Sequence, residues 1–430
     1  MIIWLLIGYM WLQIHRPPEL WDIFRGIGLE DFHVTYIYTA LLAGVWFLGL
    51  ISSGKRVLGN TFTLALGLYT LVMIASVVVS PFATIFDNRP LFLWAGHLLF
   101  FIILMTSVKT ERDLKIILTG FVIVVFLFMA DAVRLHMLGV TRASEGVERM
   151  MVVERGLYSN ENHFATFLVL ALPLVIPLLA LCKNFWHYLF VFGYVLLTVR
   201  CVSLIASRGA LVMLIALAIS LVLFSRHRFK LLPIMLVVGM GGWAILPEAH
   251  QNRYRTIWSE DVEEMAIGHV RAAEGNMEWR IAGFWRGLDL WLHYPVLGVG
   301  PGQFATARGT LQSPHNLYGQ VASELGSAGI LAFLFMLSCF GINHYNIWKN
   351  YKYLQEKNLA NEGRYCWWVS IGAMYALIAL LAQGLSISSA YLFYWIWFGA
   401  FQALAAIIIQ EKVLDAKQGK LVPSQPVKSF

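Results

Sequence analysis

The sequence predicts an all-α, polytopic integral membrane bundle of about twelve transmembrane helices, with one large, partly helical loop on its external face. Three observations carry this. First, 59% of the residues are hydrophobic, only 13% are charged and 16 are Trp, so polar side chains cannot cover a water-facing surface. Second, apolar runs of roughly 17 to 25 residues recur along the chain, the length needed to cross a bilayer core. Third, lysine is confined to alternate connections between those runs, the bias that fixes orientation in a membrane.

In order, the predicted spans are 1–14, 35–51, 58–80, 91–107, 115–138, 163–182, 185–206, 209–224, 229–247, 319–343, 367–383 and 391–409. The N-terminal run has no basic residue before it and so lacks the n-region of a cleaved signal peptide. It is read as the first span. One transmembrane domain, 1–430, is expected, with the external loop at 248–318 and a tail at 410–430. All twelve lysines fall on one set of connections, among them Lys55, Lys109, Lys183, Lys349 and Lys412. That set is assigned to the cytoplasmic side together with both termini.

On the opposite set the positive charge is entirely arginine, including Arg142, Arg149, Arg155, Arg208, Arg253, Arg280 and Arg286. For most of these the expectation is a solvated loop in which acidic neighbours such as Glu145, Glu148 and Glu154 balance the charge. A guanidinium is also a planar fork that binds phosphate oxygens in pairs and stays charged in a dry site. That role is reserved for Arg208 and Arg280, with Arg286 third. No CxxC or His–Cys cluster points to a metal, and no cofactor is expected. The four cysteines offer no external disulfide pair. There is no soluble basic domain for nucleic acid. No internal repeat supports a transporter of the inverted-repeat kind.

Three constellations bear on chemistry. In GLYSNENHFATFLVLALP, 156–173, Asn160 and Asn162 stand where an external loop enters a span. They either cap free backbone N–H groups or line a sugar or diphosphate site. In SRGALVMLIALAISLVLF, 207–224, Arg208 starts a helix whose positive end already favours an anion. The alternative is a side chain snorkelling to the interface. Gly209 would let a ligand reach the backbone.

The third constellation is 278–329. Ile281, Phe284, Trp285, Leu288, Trp291 and Leu292 recur at three- and four-residue spacing, which predicts a helix over 279–293 lying in the membrane interface. Arg280, Gly283 and Gly287 share another stripe, while Arg286, Asp289 and His293 share a third and can pair with one another. Pro295 ends this helix. Gly298, Gly300 and Gly302 then form a turn that could cradle a phosphate. His315, in SPHNLYGQ, is the candidate base: a helix start in a poorly polar setting keeps imidazole neutral and able to accept a proton. Capping is its structural alternative. Asn316, Gln320, Ser323, Glu324 and Ser327 follow on one stripe, which must face the bundle interior.

Taken together, SRGAL at 207–211, the run from Arg280 to Phe304 ending in HYPVLGVGPGQF, and PHNLYGQVASELGSAG at 314–329 resemble the O-antigen ligase and O-antigen polymerase superfamily of bacterial membrane glycosyltransferases. GLYSNENHFA at 156–165 is similar to that family's Gly…Asn-Pro-Asn segment, with Glu161 in place of proline. HRPPELW, at 15–21, looks similar to ligase-like members associated with exosortase systems.

The resemblance implies a helical bundle with a large periplasmic loop in the bacterial inner membrane. It also implies a glycan donor carried on undecaprenyl diphosphate. Arg208 and Arg280 would hold the diphosphate and His315 would deprotonate an acceptor hydroxyl, on a lipid A core sugar, another glycan or a protein. Asn160, Asn162, Arg286, Asn316 and Gly300 would bind substrate. One base and an activated leaving group imply metal-independent transfer with inversion. A polymerase joining lipid-linked repeat units is the alternative. A glycan transporter would need charge along a path through the spans, where Asp131 and Arg134 are the best pair and more simply neutralise each other.

Overall fold

A chain this apolar must satisfy its backbone polar groups within each segment, and helices do so. The computed structural model describes residues 1–15, 34–49, 59–144, 147–151, 158, 160–225, 228–244, 246–255, 270–310 and 312–421. Most of the HRPPELW segment, Lys55 and Arg56 lie outside them.

Five helices come first: α1 (Ile2–His15), α2 (Val34–Gly49), α3 (Thr61–Val79), α4 (Arg89–Ser107) and α5 (Glu111–Met137). A hairpin of β1 (Thr141–Ser144) and β2 (Val147–Met150) follows, with Arg142 paired opposite Arg149. The span predicted at 163–182 is interrupted. It runs as α6 (Glu161–Ala171), a 3-10 turn (Leu172–Val175) and α7 (Ile176–Leu179), because Pro173 and Pro177 each remove a backbone donor. Next come α8 (Phe185–Ile205), α9 (Arg208–Phe224), α10 (Arg228–Ala244), α11 (Glu248–Arg255), α12 (Val270–His293) and α13 (Phe304–Arg308). The last three are α14 (Leu317–Glu356), α15 (Ala360–Gly384) and α16 (Tyr394–Lys417).

The fold is all-helical apart from the hairpin, but the spans are not twelve of equal reach. Eight helices among the described residues are long and apolar enough to cross a membrane. The predicted spans 1–14, 35–51, 209–224 and 229–247 correspond to shorter apolar helices of 10–17 residues. The difference is physical: a 14-residue helix such as α1 rises only about 21 Å at 1.5 Å per residue. At the other extreme α14 is 40 residues long and bends at Gly326, where φ is 64° and ψ is −160°. The predicted tail begins as helix, since α16 runs to Lys417.

Short polar side chains start the helices. Asn60, Asn88, Asn184, Ser207 and Asn316 each accept a backbone N–H of the first turn, and Thr110 with Asp113 forms a reciprocal capping box on α5. The core is built around α16, whose residues from Tyr394 to Ala406 are all buried. A helix apolar on every side belongs inside the bundle. Phe121 meets the ring edges of Phe167, Trp397, Phe398 and Phe401 with centroids 6.0–6.5 Å apart. Gly399 lies against Phe62, where a Cβ would meet the ring at 1.9 Å. Large apolar residues on the outside, such as Phe47, Trp186 and Phe224, suit a lipid surround and not water.

Candidate active site

Helices α6, α9 and α14 bring their N-termini together at one end of the bundle. Ser207 caps α9 and also donates to Asn162 Oδ1 at 2.9 Å, which ties α9 to α6. Asn316 caps α14 through Gly319 N–H at 2.9 Å, and its Nδ2 lies 3.5 Å from Leu385 O. The same loop places Ser386 against Gly209, where an added Cβ would meet Ser386 Oγ at 2.9 Å. Gly209 therefore makes room for Ser386, not for a ligand as the sequence suggested. Three converging helix starts give the site a positive potential before any side chain is counted.

Helix α12 is set against α14 by glycines. A Cβ on Gly283 would lie 2.0 Å from Pro314 O, and one on Gly287 would lie 2.5 Å from Gly319 O. The stripe Arg280–Gly283–Gly287 is thus a helix-packing surface: its glycines admit α14, not a substrate. The crossing carries Arg280 within electrostatic reach of His315. Burial, then the nearby Arg280 charge, push the His315 pKa below its usual 6.5. His163, on the first turn of α6, lies within electrostatic reach of the same ring.

His315 itself has φ 46°, left-handed backbone at a non-glycine residue. Such a conformation costs about 1–3 kcal/mol and persists only where its surroundings impose it. Here Pro314 under Gly283 and the Asn316 cap fix the residues on either side. The cap on α14 is made by Asn316, so His315 does not serve as one.

On the opposite face of α12, Ile281, Trp285, Leu292 and, beyond the helix, Val296 are more than half exposed. This apolar stripe is exposed. Trp291 turns inward instead and donates to Ser327 Oγ at 3.0 Å. Asp289 pairs with Arg308 as well as with His293, whose Nδ1 is 3.9 Å from its carboxylate. Asp131 and Arg134 neutralise each other at 2.8 Å.

The glycine turn after Pro295 repairs the kink in α14. Where the helix unwinds at Gly326, the carbonyls of Ser323 and Glu324 accept from Val299 N–H (2.9 Å) and Gly300 N–H (3.0 Å). The amides of Ser327 and Ala328 donate to Pro295 O (2.8 Å) and Val296 O (3.1 Å). A buried broken helix needs such partners. The Glu324 carboxylate accepts from Gly302 N–H at 2.9 Å and Phe304 N–H at 3.4 Å. The amides of Gly300 and Gly302 are therefore committed to the fold, and Gly300 also packs on Ser80 and Ala83.

Two arginines that sequence reasoning placed in solvated loops are buried beside the site. Arg149 is 1% exposed. It donates to Ile205 O at 2.8 Å and Asn162 Oδ1 at 3.2 Å, and faces the Glu161 carboxylate at 3.6 Å. Arg142, its cross-strand partner, reaches the same carboxylate at 3.5 Å. Arg253, on α11, donates to Ala206 O at 2.8 Å. The two arginines thus grip consecutive carbonyls of the sharp α8–α9 turn, where Ala206 has φ 53°, immediately before Arg208. His250 sits among them: burial, then the charges of Arg253, Arg149 and Arg200, lower its pKa. Only the cross-strand register of Arg142 and Arg149 could have signalled this, and it is not readable without the hairpin. Glu161, standing where the related segments carry proline, serves as counter-ion to both.

The structure thus gathers Arg280, His315, Asn316, Asn162 and the start of α9 bearing Arg208. Asn160 is exposed and caps α6 through Asn162 N–H at 2.9 Å. Arg286 lies a turn and a half beyond Arg280, partly buried.

Residues 192–334 match the O-antigen ligase family. Over those residues the chain is similar to that family. The matched segment runs from α8 into α14 and so contains Arg208, Arg253, Arg280, His315 and the spliced kink, while Arg149, Asn162 and Ser386 lie outside it. No curated protein matches the chain.

Proposed function

We propose that the protein transfers a glycan from undecaprenyl diphosphate to an acceptor hydroxyl, on a lipid A core sugar, another glycan or a protein, at the periplasmic face of the bacterial inner membrane, with both termini cytoplasmic. The observation that carries this reading is the glycine-packed crossing of α12 on α14, which holds a cationic Arg280 beside a partly buried imidazole. Arg208 and Arg280 bind the diphosphate oxygens, with Arg286 along the same approach. The acceptor oxygen attacks the anomeric carbon, and its proton passes to neutral His315. The bond from the anomeric carbon to the diphosphate oxygen breaks, and the negative charge gathering on the lipid diphosphate is stabilised by the two guanidinium groups. A single displacement of this kind inverts the anomeric centre. The guanidinium groups take the part a divalent cation plays elsewhere. Asn162 and Asn316 border the space between the two halves of the site.

Deleting the gene and examining both glycan pools tests the reading. Full-length polymer retained on its lipid carrier, with surface attachment lost, supports transfer to an acceptor; single repeat units on the carrier make the protein a polymerase. Unchanged pools overturn both.

A further inference from the structure

At the end of the bundle opposite His315, helices α7, α9, α14 and α15 enclose a cavity of about 720 Å³. Its lining includes Lys352, Arg364, Trp348, Trp367, Trp368 and Leu221. No residue lining it is acidic among those described. Lys352 Nζ is held 4.4 Å over the Trp348 ring, and Trp367 is stacked on Tyr351 with a centroid separation of 5.9 Å.

The contrast with its neighbours is informative. Lys115 and Lys412, at the same end, are both engaged by Glu111, and Lys412 also by Glu362 at 3.0 Å. Lys352 and Arg364 make no ion pair among the described residues. A lining that combines two cations, several aromatic rings and aliphatic side chains matches a molecule that has an anionic head and hydrocarbon tails. Tryptophan and tyrosine favour the depth of lipid headgroups, and basic pockets between membrane helices hold anionic headgroups.

We propose that this cavity is a specific site for an anionic glycerophospholipid, its phosphate between Lys352 and Arg364 and an acyl chain against Leu221. The site is separate from the transfer chemistry and stands whether or not that chemistry is assigned correctly.

Native mass spectrometry of the full chain in detergent tests it, using phosphatidylglycerol and phosphatidylethanolamine of identical acyl chains. The wild type retains one phosphatidylglycerol in preference to phosphatidylethanolamine. Lys352→Gln with Arg364→Gln lowers that retention about tenfold, leaving phosphatidylethanolamine unchanged. Should the double variant not fold, each single substitution lowers retention by about threefold. Lys357→Gln, outside the cavity lining, leaves retention as in the wild type. Equal retention of the two lipids, loss of retention with Lys357→Gln, or displacement of the lipid by millimolar inorganic phosphate would each overturn the assignment.

Discussion

The two ends of the bundle handle positive charge in opposite ways. At the end formed by the start of α5 and the end of α16, Lys115 and Lys412 meet Glu111 and Glu362, so charge is cancelled where it stands. At the site end, Arg149 and Arg253 spend donors on the carbonyls of Ile205 and Ala206. A carbonyl satisfies the hydrogen bond without neutralising the charge. Glu161 faces Arg149 and Arg142 at 3.6 and 3.5 Å, while Arg208 opens the next helix. The first arrangement holds helices together; the second shapes the sharp turn from which Arg208 starts α9.

The largest effect that would break this contrast is at the crossing of α12 and α14. His315→Ala and Arg280→Ala should each reduce glycan transfer about 10³-fold or more, with membrane insertion retained on fractionation. Near-wild-type transfer in either variant sinks the assignment. Gly283→Ala should come next. Its Cβ meets Pro314 O, so the helices separate and transfer falls about 10²-fold, with Arg280 and His315 both intact.

Arg149→Met removes the buried one of the two arginines that face Glu161 and should cost about 3 kcal/mol of stability, read as a lower melting temperature in detergent. Arg149→Met with Glu161→Leu should recover much of that loss. The pH dependence is smaller. Because burial and Arg280 lower the His315 pKa from 6.5, the ring is neutral at pH 7. Transfer should hold down to pH 6.5 and decline only as acid protonates the base, and an acid limb centred above 6.5 would contradict a lowered value. Smallest is Lys412→Met at the opposite end, expected to cost about 1 kcal/mol and to leave transfer unchanged.

Much of the site was legible because its residues lie on contiguous helical runs. The spacing of Arg280, Gly283 and Gly287 placed them on one stripe, and SPHNLYGQ marked a helix start. What those glycines pack against was not legible, since nothing local distinguishes a gap for a ligand from a gap for a neighbouring helix. Arg149 and Arg253 were hidden for a similar reason. In sequence each has polar neighbours, and only the hairpin and the α8–α9 turn reveal that their partners include distant carbonyls. Ser386, which fills the space beside Gly209, carries no sequence signal of its role.

By itself the sequence determined the solvent, the helical class and the alternation of charge between connections, because these follow from composition and local periodicity summed over whole segments. Tertiary structure decided which helices are full spans, how the break at Gly326 is repaired by the 295–300 turn, and which arginines are buried. Those outcomes depend on contacts between segments distant in sequence, such as Arg149 with Ile205 O and Ser76 Oγ with Leu297 O at 2.5 Å, where packing and hydrogen-bond satisfaction outweigh any local preference.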